Sequence, residues 1–271
     1  MNKKKIIFIL IFIFFKEIGS QQLLTNKSSD LDNPIEIFAE EGIEWHKNNQ
    51  KYIAKGNANA KKGDLVIKSD YLEANYKDSD GSDNEITFLK ALGNVYIENK
   101  QAKILGGKTA HYDLKKEYFN VSGKELKLIS ENDELTSNLK IEFWKVDNIA
   151  IATGKAKAKR NSKYTIFADK LVWHLTLLND EEYKVKKILA YDNVKIESNN
   201  EIAYSDKALY NDTKEICKLF GNVKLKKDNN YLTGDYAEMN LKNGISKLLP
   251  HPKTIQNNKN RVKAIIKKEN E

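Results

Sequence analysis

Ile53 to Tyr76 reads I-A-K-G-N-A-N-A-K-K-G-D-L-V-I-K-S-D-Y-L-E-A-N-Y, and weaker copies of this stretch return five more times along the chain. Its fixed points are a bend pair, Gly56-Asn57, and a small-plus-acidic pair, Ser69-Asp70, 13 residues later. The bend pair recurs as Gly93-Asn94, Gly123-Lys124, Gly154-Lys155, Asp192-Asn193 and Gly221-Asn222. The second pair recurs as Gly106-Gly107, Ser137-Asn138, Ala168-Asp169, Ser205-Asp206 and Gly234-Asp235, always 13 or 14 residues after its bend. A spacing held through six copies is a structural rule.

The copies also match at longer range. Gly56 to Gly154 is 98 residues, Gly93 to Asp192 is 99 and Gly123 to Gly221 is 98. Ala54-Lys-Gly-Asn-Ala-Asn-Ala returns as Ala152-Thr-Gly-Lys-Ala-Lys-Ala, and Asn94-Val-Tyr-Ile-Glu as Asn193-Val-Lys-Ile-Glu. The reading is six repeats of about 30–38 residues in two blocks of three, spanning 35–150 and 151–249.

Between the fixed points apolar residues alternate, as in Val95 and Ile97, Leu171, Trp173 and Leu175, Val223 and Leu225, and Met239 and Leu241. Period two with turn clusters between the runs predicts antiparallel strands, an all-β fold. Only Pro34, Pro250 and Pro252 occur, so Ile35 to Leu249 can pair without a missing donor. In the second copy a strand to Glu98 and a return from Ala102 set Gly93-Asn94 opposite Gly106-Gly107. Glycine, Asn and Asp tolerate the backbone of bulges, so each hairpin should crease at its middle. Hairpins creased at one level fold the sheet along a line, giving two facing layers around an apolar interior. The flip of apolar parity from Ile67 to Leu72 and from Ile166 to Leu171 is what an inserted residue produces.

Lys3 to Lys5 is basic and Ile6 to Phe15 is an unbroken apolar run, the pattern of a signal peptide over 1–20. Ten apolar residues rise only about 15 Å as a helix, half of a bilayer core, which argues against a full span. An uncleaved anchor is the alternative. Residues 21–34 are polar and without period, a flexible leader, and 250–271 is a basic tail with a possible last strand over 261–266. The formal charge is +8, from 46 Lys and Arg against 38 Asp and Glu. The expected peptide carries four of those lysines and one glutamate, and much of the remaining excess lies in the tail. The body is therefore nearly neutral with signs interleaved, which is not a nucleic-acid footprint. Cys217 is the one cysteine, so no intramolecular disulfide forms, and its strand face shared with Leu219 makes it a small core residue.

The recurring A-x-G-N-V-x-I, Ile67-x-Ser-Asp-x-Leu-x-Ala-x-Tyr76 and Leu232-Thr-Gly-Asp-Tyr-Ala-Glu-Met-Asn-Leu241 resemble the LptA/OstA family of periplasmic lipopolysaccharide carriers. The resemblance spans about Ile37 to Leu249, and Arg261 to Ile266 resembles the family's last strand. It implies a twisted, V-shaped β-jellyroll whose hydrophobic groove shields lipid A acyl chains, exported to the periplasm. Lining of that groove is then expected from Leu72, Tyr76, Ile97, Tyr112, Leu114, Ile166, Leu171, Trp173, Leu175, Ile196, Tyr210, Val223, Leu225, Met239 and Leu241. Read from the residues alone, such a face is ordinarily a filled core. The resemblance further implies LptC-like and LptD-like partners joined by edge-strand addition, and a possible head-to-tail homo-oligomer. The alternative is an anchored or scaffold jellyroll of the same pathway. The doubled block makes the chain longer than a typical member.

No catalytic constellation, metal site or cofactor is expected. His46, His111, His174 and His251 lack ligand spacing, and the repeated aspartates sit at bends where Asp satisfies local donors. Ala102-Lys-Ile-Leu-Gly-Gly-Lys-Thr109 approximates a phosphate loop, but that motif needs a helix after it and Ala110 to Leu114 alternates like a strand. Trp45, Trp144 and Trp173 are all read as core, with Trp45 and Trp144 also placed to cap open ends.

Overall fold

The proline-free interval is strand almost throughout. The computed structural model describes residues 35–79, 82–99, 102–130, 133–160, 164–178, 182–198, 201–250 and 262–265. The expected signal peptide, the leader and most of the basic tail lie outside the described residues. In the first block the strands are β1 (Glu36–Phe38), β2 (Gly42–His46), β3 (Lys51–Lys62), β4 (Leu65–Ser79), β5 (Ser82–Glu98), β6 (Ala102–Asp113), β7 (Tyr118–Ser122), β8 (Leu126–Ser130), β9 (Asp133–Ser137) and β10 (Lys140–Trp144). They continue as β11 (Ile149–Arg160), β12 (Tyr164–Leu178), β13 (Glu182–Ser198), β14 (Ile202–Asn211), β15 (Ile216–Lys227), β16 (Asn230–Asn240), β17 (Ile245–Leu249) and β18 (Lys263–Ile265). One 3-10 turn, Lys47–Asn49, completes the described elements.

All 18 strands form one antiparallel sheet in which each rung pairs with the next along the chain. β1 and β2 both pair with β3, β7 and β8 both with β6, β9 and β10 both with β11, and β17 and β18 both with β16. Each such couple is one rung split at the crease, so among the described residues the sheet is a stack of 14 creased rungs. β2, β7, β10 and β17 belong to what we call the first arm, and β1, β8, β9 and β18 to the second. The fold is the creased all-β jellyroll expected. β18 supplies the last strand, with Lys263 to Ile265 pairing antiparallel with Tyr231 to Thr233 of β16.

The crease has a repeated geometry. Lys55 pairs with Tyr71 and Ala58 with Ser69, so Gly56 and Asn57 together oppose Asp70 alone. The same two-against-one count sets Gly93-Asn94 against Lys108, Gly154-Lys155 against Asp169, Asp192-Asn193 against Asp206 and Gly221-Asn222 against Asp235. Both members of each of these bend pairs have positive φ, for example 73° at Gly93 and 43° at Asn94. Asn94 Nδ2 donates to Asp70 (3.0 Å), Asn193 to Asp169 (2.7 Å) and Asn222 to Asp206 (2.9 Å), clasping neighbouring rungs from outside. The parity change falls on the strand opposite the bend pair, where Ile67 and Leu72 are both buried although five residues apart, while Ala54 and Ala58 on the bend strand keep one parity. Inside the crease the small partners stack with Ala or Val, as in Ala58 with Ser69 and Val95 with Gly107. Buried Ser69 and Ser205 donate to the carbonyls of Tyr71 and Lys207 (2.9 and 3.0 Å), satisfying backbone left over by the bulge.

The third copy departs from this pattern. Positive φ falls at Gly106 and Glu125 and not at the expected Gly123-Lys124. Gly123 is required by proximity: a Cβ there would lie 2.3 Å from the Gly106 carbonyl oxygen. Here the rungs pass so closely that the bend shifts along the chain and the rung breaks into β7 and β8.

Gly93→Val should lower stability by more than about 1 kcal/mol, because a β-branched residue resists positive φ. Its Cβ would also meet Asp70 Oδ2 at 2.1 Å. Urea denaturation checks this, and an unchanged midpoint would mean the crease does not depend on that conformation.

Candidate functional site

Three inward ladders line the interior. On the first arm one runs Ile43, Ala54, Leu72, Ala91, Ala110 and onward, with large and small side chains mixed. A second runs Trp45, Tyr52, Ala74, Leu89, Tyr112 and onward. The second arm contributes Ile37, Ala60, Ile67, Ile97 and Ile104. Where a large residue faces a small one the arms interlock at interior density.

At the first rungs they do not interlock. Ala54 and Ala60 on β3 and Ala74 on β4 are small on both arms at one level, and a cavity of about 560 Å³ opens there. Its walls include Ile37, Ile43, Tyr52, Ile67, Leu72 and Leu89, with Lys61 and Lys62 beside them. Burial holds the Lys62 ammonium below its ordinary pKa. Trp45 stacks on Tyr52 at 5.7 Å and its Nε1 donates to Tyr76 Oη at 2.8 Å, so three aromatic rings close the turn side. A pocket of this size and apolarity accepts part of a long hydrocarbon chain.

The second block repeats the alanines without the cavity. Ala150, Ala152 and Ala158 on β11 stand where Tyr52, Ala54 and Ala60 stand on β3, yet the voids bordering Ala150 and Ala158 are about 10 Å³ each. Trp173 pairs with Ala150 as Ala74 pairs with Tyr52. Trp173 is 3 % exposed and, with buried Phe143 and Tyr183 nearby, fills the space that Ala74 leaves empty.

Of the expected lining residues only Leu72 borders the cavity. Tyr76 belongs to the aromatic closure. Ile97, Tyr112, Ile166, Leu171, Trp173, Leu175, Ile196, Tyr210, Val223, Leu225 and Met239 are buried against one another in a continuous core, and Leu114 and Leu241 pack on it half-buried. Trp45 and Trp144 are not core, being 52 % and 36 % exposed. Trp45 caps an edge rung, whereas Trp144 has the opposite parity to buried Phe143 and lies on Tyr118 at 4.1 Å. The cavity walls Ile37, Ile43, Tyr52, Ala54 and Ala60 are not singled out by the sequence reading; the coincidence of small residues at 54, 60 and 74 is the available signal.

Polar chemistry is sparse. Among the described residues no group of three His, Cys, Asp or Glu is arranged to hold a metal ion. The glycine-rich run at 102–109 lies within strand β6. Cys217 is 1 % exposed, and burial pushes its thiol pKa up to about 12.

Residues 37–142 and again 139–245 match the model of a family described as LptA/(LptD N-terminal domain) LPS transport protein. Among solved structures the chain is similar to LptH of Pseudomonas aeruginosa, described as the LptA homologous periplasmic component of the conserved lipopolysaccharide transport device. The identity is 10%, the alignment covers 89% of this chain and 100% of that one, and the TM-score is 0.23. No curated protein matches the chain. No helix among the described residues is long and apolar enough to cross a membrane.

Two outcomes follow. Ala74→Trp should abolish binding of an environment-sensitive apolar dye, while Trp173→Ala creates a second dye site at a cost of about 3–5 kcal/mol in stability. Dye titration with urea denaturation reads both. A thiol reagent at pH 8 should label Cys217 no faster than the protein opens, because its thiolate forms only near pH 12 and is shielded.

Proposed function

The chain belongs to the LptA/LptD N-terminal-domain family of lipopolysaccharide transport proteins, and from that premise we propose that it is a periplasmic carrier that shields acyl chains between its arms. The apolar cavity at the first rungs is the observation that carries this reading. Each methylene withdrawn from water contributes about 0.8 kcal/mol, so a 12-carbon chain carries on the order of 10 kcal/mol. Leu72 is the first contact. The inward rows that hold Ile97 on the second arm and Tyr112, Leu171, Trp173 and Met239 on the first receive further chains when the arms part.

The cavity opens at an edge of the sheet, where Phe38, Ile43 and Trp45 are 49–55 % exposed. Among the described residues β1 and β2 have a neighbour on one side only, as do β17 and β18 at the other edge. A strand added to β1 and β2 extends the cavity wall, so an LptC-like or LptD-like jellyroll, or a second copy placed head to tail, would prolong one apolar passage.

The closed interior around Trp173 favours a second reading, a scaffold jellyroll of the same pathway that holds partners without carrying lipid. Photo-crosslinking separates the two. A crosslinker at Leu72 or Ile67 should capture lipopolysaccharide in cells, and one at outward-facing Glu73 should not. Capture at Trp173 or Met239 as well means that the arms part. Capture at none of the inward positions overturns the carrier reading in favour of the scaffold.

A further inference from the structure

The nearly neutral charge of the body conceals a segregation that appears only when the rungs are stacked. On the outer face of the second arm, cross-strand pairing sets Lys157, Phe167, Lys195, Tyr204, Lys224 and Thr233 in one row, which ends at Lys263. The row beside it holds Lys159, Thr165, Glu197, Ile202, Lys226 and Tyr231. From β11 to β18 the first of these rows carries lysine on every second rung. The one acid of the two rows, Glu197, is paired with Lys195. The aspartates of the same rungs are elsewhere: Asp169, Asp192, Asp206 and Asp235 line the crease, and Asp228 sits in a turn at the arm's free end. Rungs about 4.8 Å apart make this a basic strip roughly 30 Å long.

We propose that this strip docks the protein on the surface of an anionic lipid bilayer, a role separate from acyl-chain binding between the arms. Charge complementarity identifies the occupant as anionic, and the aromatic residues decide which kind. Lys157 and Lys195 lie over the Phe167 ring at 5.7 and 5.3 Å, and Lys224 over Tyr231 at 4.9 Å. Ring faces already covered by ammonium groups are not open platforms on which bases stack, as a single-stranded nucleic acid requires. Ammonium heads beside apolar tips, with Tyr204 38 % exposed and Ile202 next to it, instead match the boundary between phosphate headgroups and acyl chains. On the same rungs the outer face of the first arm mixes signs, with Glu238 paired between Lys218 and Lys247, and it is free of acids only in the row beside the crease, Lys170, Tyr191 and Lys207.

Co-sedimentation with vesicles tests the assignment. The purified protein should bind vesicles containing about 30 mol % phosphatidylglycerol, weaken as salt rises from about 50 to about 300 mM, and bind pure phosphatidylcholine far less. At about fivefold per lysine near a charged surface, Lys224→Gln with Lys226→Gln should lower binding roughly thirtyfold. Lys90→Gln with Lys170→Gln removes the same charge from the outer face of the first arm and should change it less than about twofold. Both pairs should unfold at the wild-type urea midpoint, since all four side chains are on the surface. Any contribution from Ile6 to Phe15 appears in neutral vesicles and in the control pair alike. Equal binding to neutral vesicles, equal loss in the two double variants, or binding of oligothymidylate without vesicle binding would each overturn the proposal.

Discussion

Two consecutive residues held at positive φ against a single residue on the next strand are the constraint on which the rest of this structure depends. An ordinary bulge bends one strand; here the bulge recurs at one level of the stack, and the bends add to a fold line. Once that line exists, each rung presents an inward row on both sides of it; strands with the bend pair keep one parity across the line, as Ala91 and Val95 do, and the strands opposite them change parity, as Ile67 and Leu72 do. The aspartates follow from the same geometry. Standing alone opposite two residues, each projects outward at the fold line, where the bend asparagine's amide can reach it.

That constraint is also what made the architecture legible. Gly-Asn followed at 13 or 14 residues by a small residue and an acid is a pattern in the chain itself, and alternation between those points assigns the strands. The third copy was less legible because Gly123 is selected by the approach of the Gly106 carbonyl, a contact between rungs and not a backbone preference. The cavity was less legible still. Alternation identifies an inward residue, but a void requires small residues to coincide across arms and rungs, and Ala54, Ala60 and Ala74 are ordinary one at a time. The same logic explains Trp45: its parity is inward, but on an edge rung there is no next strand to cover it.

The two blocks therefore differ in what their interiors can do although their frames repeat. Where Trp173 interlocks with Phe143 and Tyr183, separating the arms means exposing well-packed aromatic surface at about 25 cal/mol per Å². At Ala74 the corresponding contacts were never made, and that end is ready to accept an apolar group with little rearrangement. One position in a repeated frame thus separates an open edge of the stack from its closed middle.

Because every rung is hydrogen-bonded through its backbone only to its neighbours, the stack behaves as a nearly one-dimensional object whose extent is counted and not shaped. With neighbouring strands about 4.8 Å apart, 14 rungs extend on the order of 60 Å from the first strand to the last. Added rungs do not enlarge a globule in this architecture; they lengthen the stack. The rung count is in effect a ruler: the separation of the two described sheet edges is written in the number of strands the sequence lays down.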